Sequence, residues 1–161
     1  MTKKRNKPNL SQMTRRLDND FRQYIYARDD YQCQVCGIHK DSTNFLDASH
    51  KVARSNYLLR WNEKNVIALC RSCHDDWGRG ITDPQNSAID RLWGEGTALK
   101  LEHFAKQYPI SKGTFVQLVS FRQQLQVHYK EKLKLLNSGI SKSEIMAACW
   151  QDFGVNNGKS I

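Results

Sequence analysis

The segment that decides the fold begins with Tyr31-Gln-Cys33-Gln-Val-Cys36-Gly37 and ends with Leu69-Cys70-Arg-Ser-Cys73-His74. It therefore contains two Cys-x-x-Cys pairs. Two residues between thiols let one turn of backbone aim both sulfurs at a single ion, and four thiolates suit the tetrahedral coordination of zinc. The sequence predicts a structural zinc ion held by both pairs. Binding of this ion would stabilise a small segment with little core of its own.

Two other chemistries use the same cysteine spacing. Cys70-Arg-Ser-Cys73-His74 is formally the haem-attachment pattern, and a single Cys-x-x-Cys pair in a βαβ setting is typical of thioredoxin-like redox sites. The companion pair at residues 33–36 favours zinc over both alternatives. A fifth cysteine, Cys149, lies in an apolar stretch and is predicted to be a buried free thiol.

The charge of the chain points to a polyanionic partner. The 161 residues have a formal net charge of +9, and residues 1–28 contain eight Lys or Arg against two Asp. Such a basic surplus favours nucleic acid. We expect residues 1–10 to form a flexible basic arm that adds salt-dependent affinity through Lys3, Lys4 and Arg5.

The sequence offers no membrane segment. No apolar run approaches the roughly 20 residues that span a bilayer. The basic N-terminus is not followed by the hydrophobic region of a signal peptide. We therefore expect a cytoplasmic protein without a membrane partner, where cysteines more often bind metal than form disulfides.

Residues around the cysteines predict short elements. Apolar residues recur at helical spacing from Ser11, the predicted cap, to Arg28. Residues 45–52 and 65–69 are predicted strands. A helix is predicted to start at Cys73, with Asp75 and Asp76 in its first turn.

The C-terminal half is predicted to be helical. Thr82-Asp83-Pro84 starts a helix that ends near Trp93. Further helices are predicted over residues 99–108 and 111–136, and Ser141-Lys-Ser-Glu144 is a capping-box pattern for a last helix through Trp150. Lysines at 130, 132 and 134 form either a DNA-docking face or an ordinary solvated face.

These elements predict an α+β fold that is mainly helical. Its centre is a small ββα unit with zinc knuckles, flanked by N-terminal and C-terminal helices. We divide the chain into the basic arm at 1–10, a core with its N-terminal helix at 11–80, and a helical extension at 81–161 that packs on or beside the core.

His50, Asn65 and His74 are interleaved with the cysteine pairs in a specific order. Together with residues 28–37, Asp47-Ala-Ser-His50 and the run from Asn65 to His74, this order resembles the HNH endonuclease family. That family has a ββα-metal finger, here with four zinc-binding cysteines. The resemblance covers residues 28–78, about a third of the chain, and agrees at seven positions in type and order.

The resemblance implies a phosphodiester hydrolase that acts on DNA, most simply duplex DNA. His50 would be the general base that activates water, a task that a neutral imidazole suits. His74 would help hold a catalytic Mg²⁺ or Mn²⁺, which neutralises charge on the leaving oxygen. Asn65 would tie the loop between the strands and so position His50.

One position departs from the family pattern. Many members carry Asp or His immediately before the base, where this chain has Ser49. Asp47 lies on the same face of the strand, so we expect Asp47, or water, to complete the metal shell. Lys51 and Arg54 follow the base and are expected either to contact substrate phosphates or to be solvated surface residues.

A second function is compatible with the same residues. The chain could be a non-catalytic, zinc-stabilised nucleic-acid-binding module within a DNA-processing complex. For the enzyme, family analogy suggests a phage or mobile-element protein in the cytoplasm of a bacterial or phage-infected cell. A monomer with one active site would nick, so double-strand cleavage would need a dimer or two events.

Overall fold

The computed structural model describes residues 9–39, 45–108 and 119–147. Its helices and strands are α1 (Leu10–Arg28), β1 (Leu46–His50), β2 (Val66–Cys70), α2 (Arg71–Gly78), α3 (Asp83–Trp93), α4 (Thr97–Gln107), α5 (Val119–Asn137) and α6 (Lys142–Ala147). The predicted α+β class with a mainly helical composition is confirmed. Several predictions lie outside the described residues: Lys3, Lys4, Arg5 and Cys149, residues 111–118 of the helix predicted over 111–136, and the end of the last helix at Trp150.

The two strands form an antiparallel hairpin at the centre of the molecule. Leu46 pairs with Cys70 and His50 pairs with Val66. All five residues of β2 are buried, whereas β1 has two buried residues, Leu46 and Ser49, and three half-buried ones. β1 therefore provides the accessible edge on which polar side chains can act.

The ends of α1 and α2 differ from the prediction. Ser11 is wrong as the cap of α1, because Asn9 accepts the Gln12 N–H at 2.9 Å and the Gln12 side chain accepts the Asn9 N–H. The helix α2 starts at Arg71, directly after β2, with Cys70 as its cap. Asp75 and Asp76 consequently lie in the second turn of α2.

The side chain of Arg28 joins α1 to the hairpin. It is fully buried and forms two hydrogen bonds with the carboxylate of Asp29, at 2.8 and 3.0 Å. It also donates to the carbonyl oxygens of Glu63 and Val66. Asp29 in turn accepts the N–H of Ala68 in β2 at 2.7 Å. This buried ion pair fixes the position of β2 against the end of α1.

The C-terminal helices share the core of the cysteine-rich segment. Tyr129 of α5 packs against the rings of Phe21 and Tyr24 in α1. Buried residues of α3, α4, α5 and α6 belong to the same hydrophobic cluster as the hairpin. The predicted capping box of α6 is confirmed, since Ser141 and Glu144 exchange side-chain to backbone hydrogen bonds.

Lys132 was predicted either to dock DNA or to be solvated, and both predictions are wrong. Its side chain is 6% exposed and donates to Glu63 Oε1 at 2.7 Å. Glu63 is itself buried and accepts the Tyr24 hydroxyl. The lysine therefore anchors α5 to the core. None of the described helices is long and apolar enough to cross a membrane.

Candidate active site and metal centre

The four cysteines form one compact cluster. The sulfur atoms of Cys33, Cys36, Cys70 and Cys73 all lie within 4.8 Å of one another, and those of Cys36 and Cys70 are 3.7 Å apart. A regular tetrahedron with metal–sulfur bonds of about 2.3 Å has sulfur–sulfur edges of about 3.8 Å. The thiol cluster therefore fits a zinc ion.

Local backbone geometry presents the first pair of thiols. The Gly37 N–H donates to the Cys33 carbonyl at 2.9 Å, and the Cys33 N–H donates to the Ile38 carbonyl at 3.0 Å. Gly37 has a φ of +71°, which glycine adopts with little cost. These two hydrogen bonds close the turn, so that the sulfur atoms of Cys33 and Cys36 both point toward the second cysteine pair. The second pair spans the junction between β2 and α2.

The cluster also favours thiolate formation at one position. Burial of the Cys33 thiol raises its pKa, but backbone N–H groups of Cys36, Cys70 and Val35 outweigh this and lower the pKa to about 7. Burial and the neighbouring thiols raise the pKa of Cys73. Without a cation, four closely packed thiols cannot all ionise, because each thiolate repels the next. A bound metal ion removes this repulsion.

His50 occupies the end of β1 in a defined orientation. Its Nε2 lies 2.9 Å from the carbonyl oxygen of Arg60, and its Nδ1 lies 3.3 Å from that of Ala48. A carbonyl only accepts, so the shorter contact assigns the proton to Nε2 and leaves the lone pair on Nδ1. Burial lowers the pKa of His50 to about 4, with a further contribution from the charge of Arg54. The imidazole is therefore neutral at pH 7.

Asn65 connects the loop after β1 to the start of β2. Its side chain is fully buried and accepts the Val52 N–H at 2.7 Å. It also donates to the carbonyls of Val52 and Leu59, each at 2.9 Å. The Asn65 carbonyl accepts the N–H of Lys51, next to His50. All the polar groups of this side chain are thus used to hold the loop.

Asp47 and His74 meet beside the thiol cluster. Asp47 Oδ2 lies 3.1 Å from His74 Nδ1, and the two side chains are 40% and 38% exposed. Ser49, on the same face of β1, is buried, and its hydroxyl accepts a hydrogen bond from Gln85 at 2.9 Å. The accessible oxygen donor on this face is therefore the carboxylate of Asp47.

Asp47 and His50 both line a cleft between α1 and β1. The cleft has a volume of about 1160 Å³ and also borders α5. Its walls carry more cations than carboxylates: Arg15, Arg16, Arg22, Arg54 and Lys130 against Asp18, Asp20 and Asp47. An open, positively charged cleft attracts a phosphate backbone.

Residues 33–80 match the model of a family described as HNH endonuclease. This segment is therefore similar to the HNH endonuclease family, and we call it the HNH domain. The matched range includes both cysteine pairs together with His50, Asn65 and His74. The resemblance inferred from the sequence is confirmed. Comparisons with curated proteins and with solved structures gave no match.

The two basic residues after His50 have different surroundings in the HNH domain. The side chain of Lys51 is 4% exposed, forms an ion pair with Glu102 and lies over the ring of Trp77. This places its ammonium between Trp77 of α2 and Glu102 of α4. Arg54 is exposed and lines the cleft beside His50. Of the two, Arg54 is the residue whose position suits a phosphate contact.

Sequence reasoning missed the arginines that α1 places opposite the HNH domain. Arg15, Arg16 and Arg22 are exposed and line the cleft that contains His50. Arg15 and Arg22 are two helical turns apart and therefore share one side of α1. The concentration of positive charge in residues 1–28 was the available signal, but only the packing of α1 against the hairpin directs that charge to the site.

Proposed function

We propose that this protein is a metal-dependent HNH endonuclease that hydrolyses phosphodiester bonds in DNA, with His50 as the general base. The HNH domain supports a nuclease-type function. The observation that carries the catalytic assignment is the orientation of His50. Its Nε2 contacts the Arg60 carbonyl at 2.9 Å, while the ring borders a cleft rich in arginine.

In this proposal the Arg60 carbonyl selects the tautomer of His50. With its proton on Nε2, the ring presents Nδ1 as the acceptor for a proton of the attacking water. A pKa near 4 makes the free imidazole a weak base. A bound phosphodiester adds negative charge beside the ring and raises that pKa toward neutrality. Asn65 acts as a positioning residue, since it holds the loop that continues from His50.

Asp47 and His74 are the residues that we propose as ligands of the catalytic cation. One carboxylate oxygen and one imidazole nitrogen at 3.1 Å form a donor set that suits Mn²⁺ or Mg²⁺. Such an ion, when bound, polarises the phosphate and neutralises charge on the 3′ leaving oxygen. The products would carry 5′-phosphate and 3′-hydroxyl ends.

The runner-up is a zinc-stabilised DNA-binding module without catalysis. The buried hydroxyl of Ser49 favours it, because this position provides a metal ligand in many relatives. The low pKa of His50 favours it as well. The two functions differ in their need for the imidazole at position 50, which only the nuclease requires.

Cleavage of supercoiled plasmid tests the choice. The zinc-loaded chain is incubated with Mg²⁺ or Mn²⁺, and we expect nicked circles, since each chain would contribute one active site. We expect His50→Ala to reduce the nicking rate by about 10²–10⁴-fold, the usual contribution of a general base. His103→Ala removes an exposed histidine of α4 and serves as the matched control.

Two outcomes would decide against parts of the proposal. Nicking that survives His50→Ala at the native rate would remove His50 as the base. DNA binding without nicking, across both metals and with supercoiled, linear and branched DNA, would establish the binding module. Linear product in proportion to protein concentration squared would indicate that two chains act together on duplex DNA.

We further propose the biological setting and the division of the chain. The basic arm at residues 1–10 and the helical extension at 81–161 would flank the nuclease core at 11–80. Phage or mobile-element proteins that act on DNA in a bacterial cytoplasm would have this combination of small size and positive charge.

A further inference from the structure

Arg122 of α5 is a buried cation that forms no direct ion pair with any described residue. It is 2% exposed, and its guanidinium carbon lies 6.0 Å from the ring of Tyr57 and 5.8 Å from that of Trp61. Within the described ranges, its Nε and Nη1 have no hydrogen-bond acceptor. Buried donors without acceptors are rare, because burial removes their bonds to water. Within the described part of the chain, these two donors of Arg122 are therefore unsatisfied.

Arg122 lines a second cavity, which we name the Arg122 pocket. It has a volume of about 460 Å³ and lies between the N-terminal half of α1, the loop that contains Tyr57 and Arg60, and α5. Arg15 and Arg60 also line it. Burial lowers the pKa of Arg122 and the positive charge of Arg60 lowers it further, although the nearby Tyr57 and Asp18 act in the opposite direction. An anion in the pocket would relieve both effects.

The carboxylate in the Arg122 pocket is already paired. Asp18 accepts two hydrogen bonds from Arg60, at 3.0 and 2.6 Å, and a third from the indole of Trp61 at 2.9 Å. Its hydrogen bonds thus go to Arg60 and Trp61, whereas Arg122 receives only a longer-range attraction from it. Arginine binds phosphate particularly well, since its planar fork matches two phosphate oxygens.

The Arg122 pocket adjoins the cleft of the HNH domain. Arg15 and Asp18 line both cavities. Arg60 connects them directly, because its carbonyl contacts His50 while its guanidinium lies in the Arg122 pocket. A ligand bound to the guanidinium of Arg60 would therefore be separated from His50 by about the length of the Arg60 side chain.

We propose that the Arg122 pocket binds a phosphate group of the DNA substrate through Arg122, Arg15 and Arg60, and so anchors the strand whose neighbouring linkage lies at His50. The role in cleavage rests on the proposed nuclease function, whereas phosphate binding does not. The phosphate is either an internal phosphodiester of the strand or a 5′-terminal phosphate. The chemistry is shared, and the substrate used in the test distinguishes the two.

DNA binding by the full zinc-loaded chain tests the proposal. The affinity for a fluorescent duplex is measured by anisotropy over a salt series, in the His50→Ala background to prevent cleavage. We expect Arg122→Gln and Arg15→Gln each to weaken binding by about tenfold and to reduce the salt slope by about 1, as for the loss of one phosphate contact. Lys134→Gln removes an exposed charge from the same helix as Arg122 and should leave the slope near its original value.

The source of the phosphate follows from two oligonucleotide series. If the ligand is a 5′-terminal phosphate, a 5′-hydroxyl duplex should bind as weakly to the native pocket as the phosphorylated duplex binds to Arg122→Gln. If the ligand is an internal phosphodiester, one uncharged methylphosphonate linkage at a fixed distance from the cleavage position should weaken binding to the native pocket by the same amount. In either case the losses of affinity caused by the modified DNA and by Arg122→Gln should not add, because both changes remove the same contact.

A thermal shift with phosphate and the DNA affinity both test the proposal without dependence on catalysis. Inorganic phosphate should raise the unfolding temperature of the native chain more than that of Arg122→Gln. If Arg122→Gln does not fold, Arg15→Gln, at an exposed position, provides the binding measurement. Native affinity and salt slope in Arg15→Gln and in a folded Arg122→Gln would overturn the proposal. Nicking that survives His50→Ala would instead overturn the role of His50 and leave the phosphate site in place.

Discussion

The thiol cluster and the site around His50 lie on the same hairpin but are built in different ways. In the thiol cluster, four donors surround one position, and two of the cysteines are buried. In the HNH site, Asp47 and His74 are about two-fifths exposed, and His50 borders an open cleft. A closed set of donors suits a structural metal ion, whereas catalysis requires free positions for water and substrate.

The two sites also differ in which contacts position their side chains. Short turns present the cysteines, through hydrogen bonds between neighbours such as Gly37 and Cys33. His50 depends on Arg60, ten residues away, and Asp47 on His74, 27 residues away. We therefore expect changes at the thiol cluster to unfold the core, and changes at the HNH site to alter activity with smaller effects on folding.

Removal of the zinc ion should have the largest effect. Structural zinc contributes about 10–16 kcal/mol to the folding of small domains. Chelation, or Cys70→Ser, should therefore unfold the hairpin and abolish its near-UV circular dichroism. Cys149→Ser changes the cysteine that belongs to neither Cys-x-x-Cys pair and should preserve the spectrum. An unchanged unfolding temperature after complete chelation would mean that the helical core folds without the metal ion.

Asn65→Ala should reduce both the stability of the fold and the nicking activity. It leaves three backbone groups, one buried and two partly buried, without their side-chain partner, so we expect a loss of about 3 kcal/mol in the free energy of unfolding. Nicking should also fall, because the loop after His50 loses its tie to β2. Asn65→Asp retains the acceptor for the Val52 N–H and is the matched variant. Urea unfolding and plasmid nicking measure the two effects, and a loss of activity without a loss of stability would contradict the positioning role.

The pKa of His50 predicts how stability changes with pH. Its folded value of about 4 lies below the unfolded value of about 6.5, so the unfolded chain binds the proton more readily. The neutral imidazole contributes about 3 kcal/mol to the free energy of unfolding above pH 6.5. This contribution is lost as the pH falls toward 4.

Comparison with His50→Gln isolates this contribution. The cysteines titrate in both proteins, so their effect cancels in the difference between the two. Urea unfolding at pH 7 and pH 4.5 should show a steeper loss in the native chain than in His50→Gln. Equal losses would mean that the imidazole is accessible to protons in the folded state.

Asp47→Asn should have the smallest effect of the series. It keeps the size of the side chain but weakens the donor beside His74, so we expect a loss of about 10–100-fold in apparent affinity for Mg²⁺ or Mn²⁺ during nicking. Zinc content and unfolding temperature should stay near the native values. Asp76→Asn, whose side chain in α2 is similarly exposed and contacts Arg79 rather than His74, is the control. A native metal dependence in Asp47→Asn would remove Asp47 from the catalytic site.

Local signals predicted much of the secondary structure. Thr82 and Pro84 mark the start of α3, and Ser141 with Glu144 marks that of α6, because these contacts span at most four residues. Boundaries were wrong where two local signals competed. Asn9 displaced Ser11 as the cap of α1, and β2 continued directly into α2 through Cys70.

Contacts between distant residues could not be predicted in the same way. Lys132 and Glu63 are 69 residues apart, and Lys51 and Glu102 are 51 apart. The local sequence around these lysines does not distinguish them from solvent-exposed lysines. Their burial depends on how α5 and α4 pack against the hairpin, and the energy of a buried ion pair depends on that packing.

The amino-acid sequence by itself determined the chemistry that the protein can hold. The spacing of four cysteines defines a zinc cluster, and the order of His50, Asn65 and His74 among them indicates an HNH domain. The tertiary structure decided which charges face the site. It directs Arg15 and Arg22 into the cleft, buries Lys51, and leaves Arg122 without an acceptor in the described part of the chain. The type of each side chain follows from the sequence. Its solvation and the electrostatic potential around it depend on neighbours that only folding brings together.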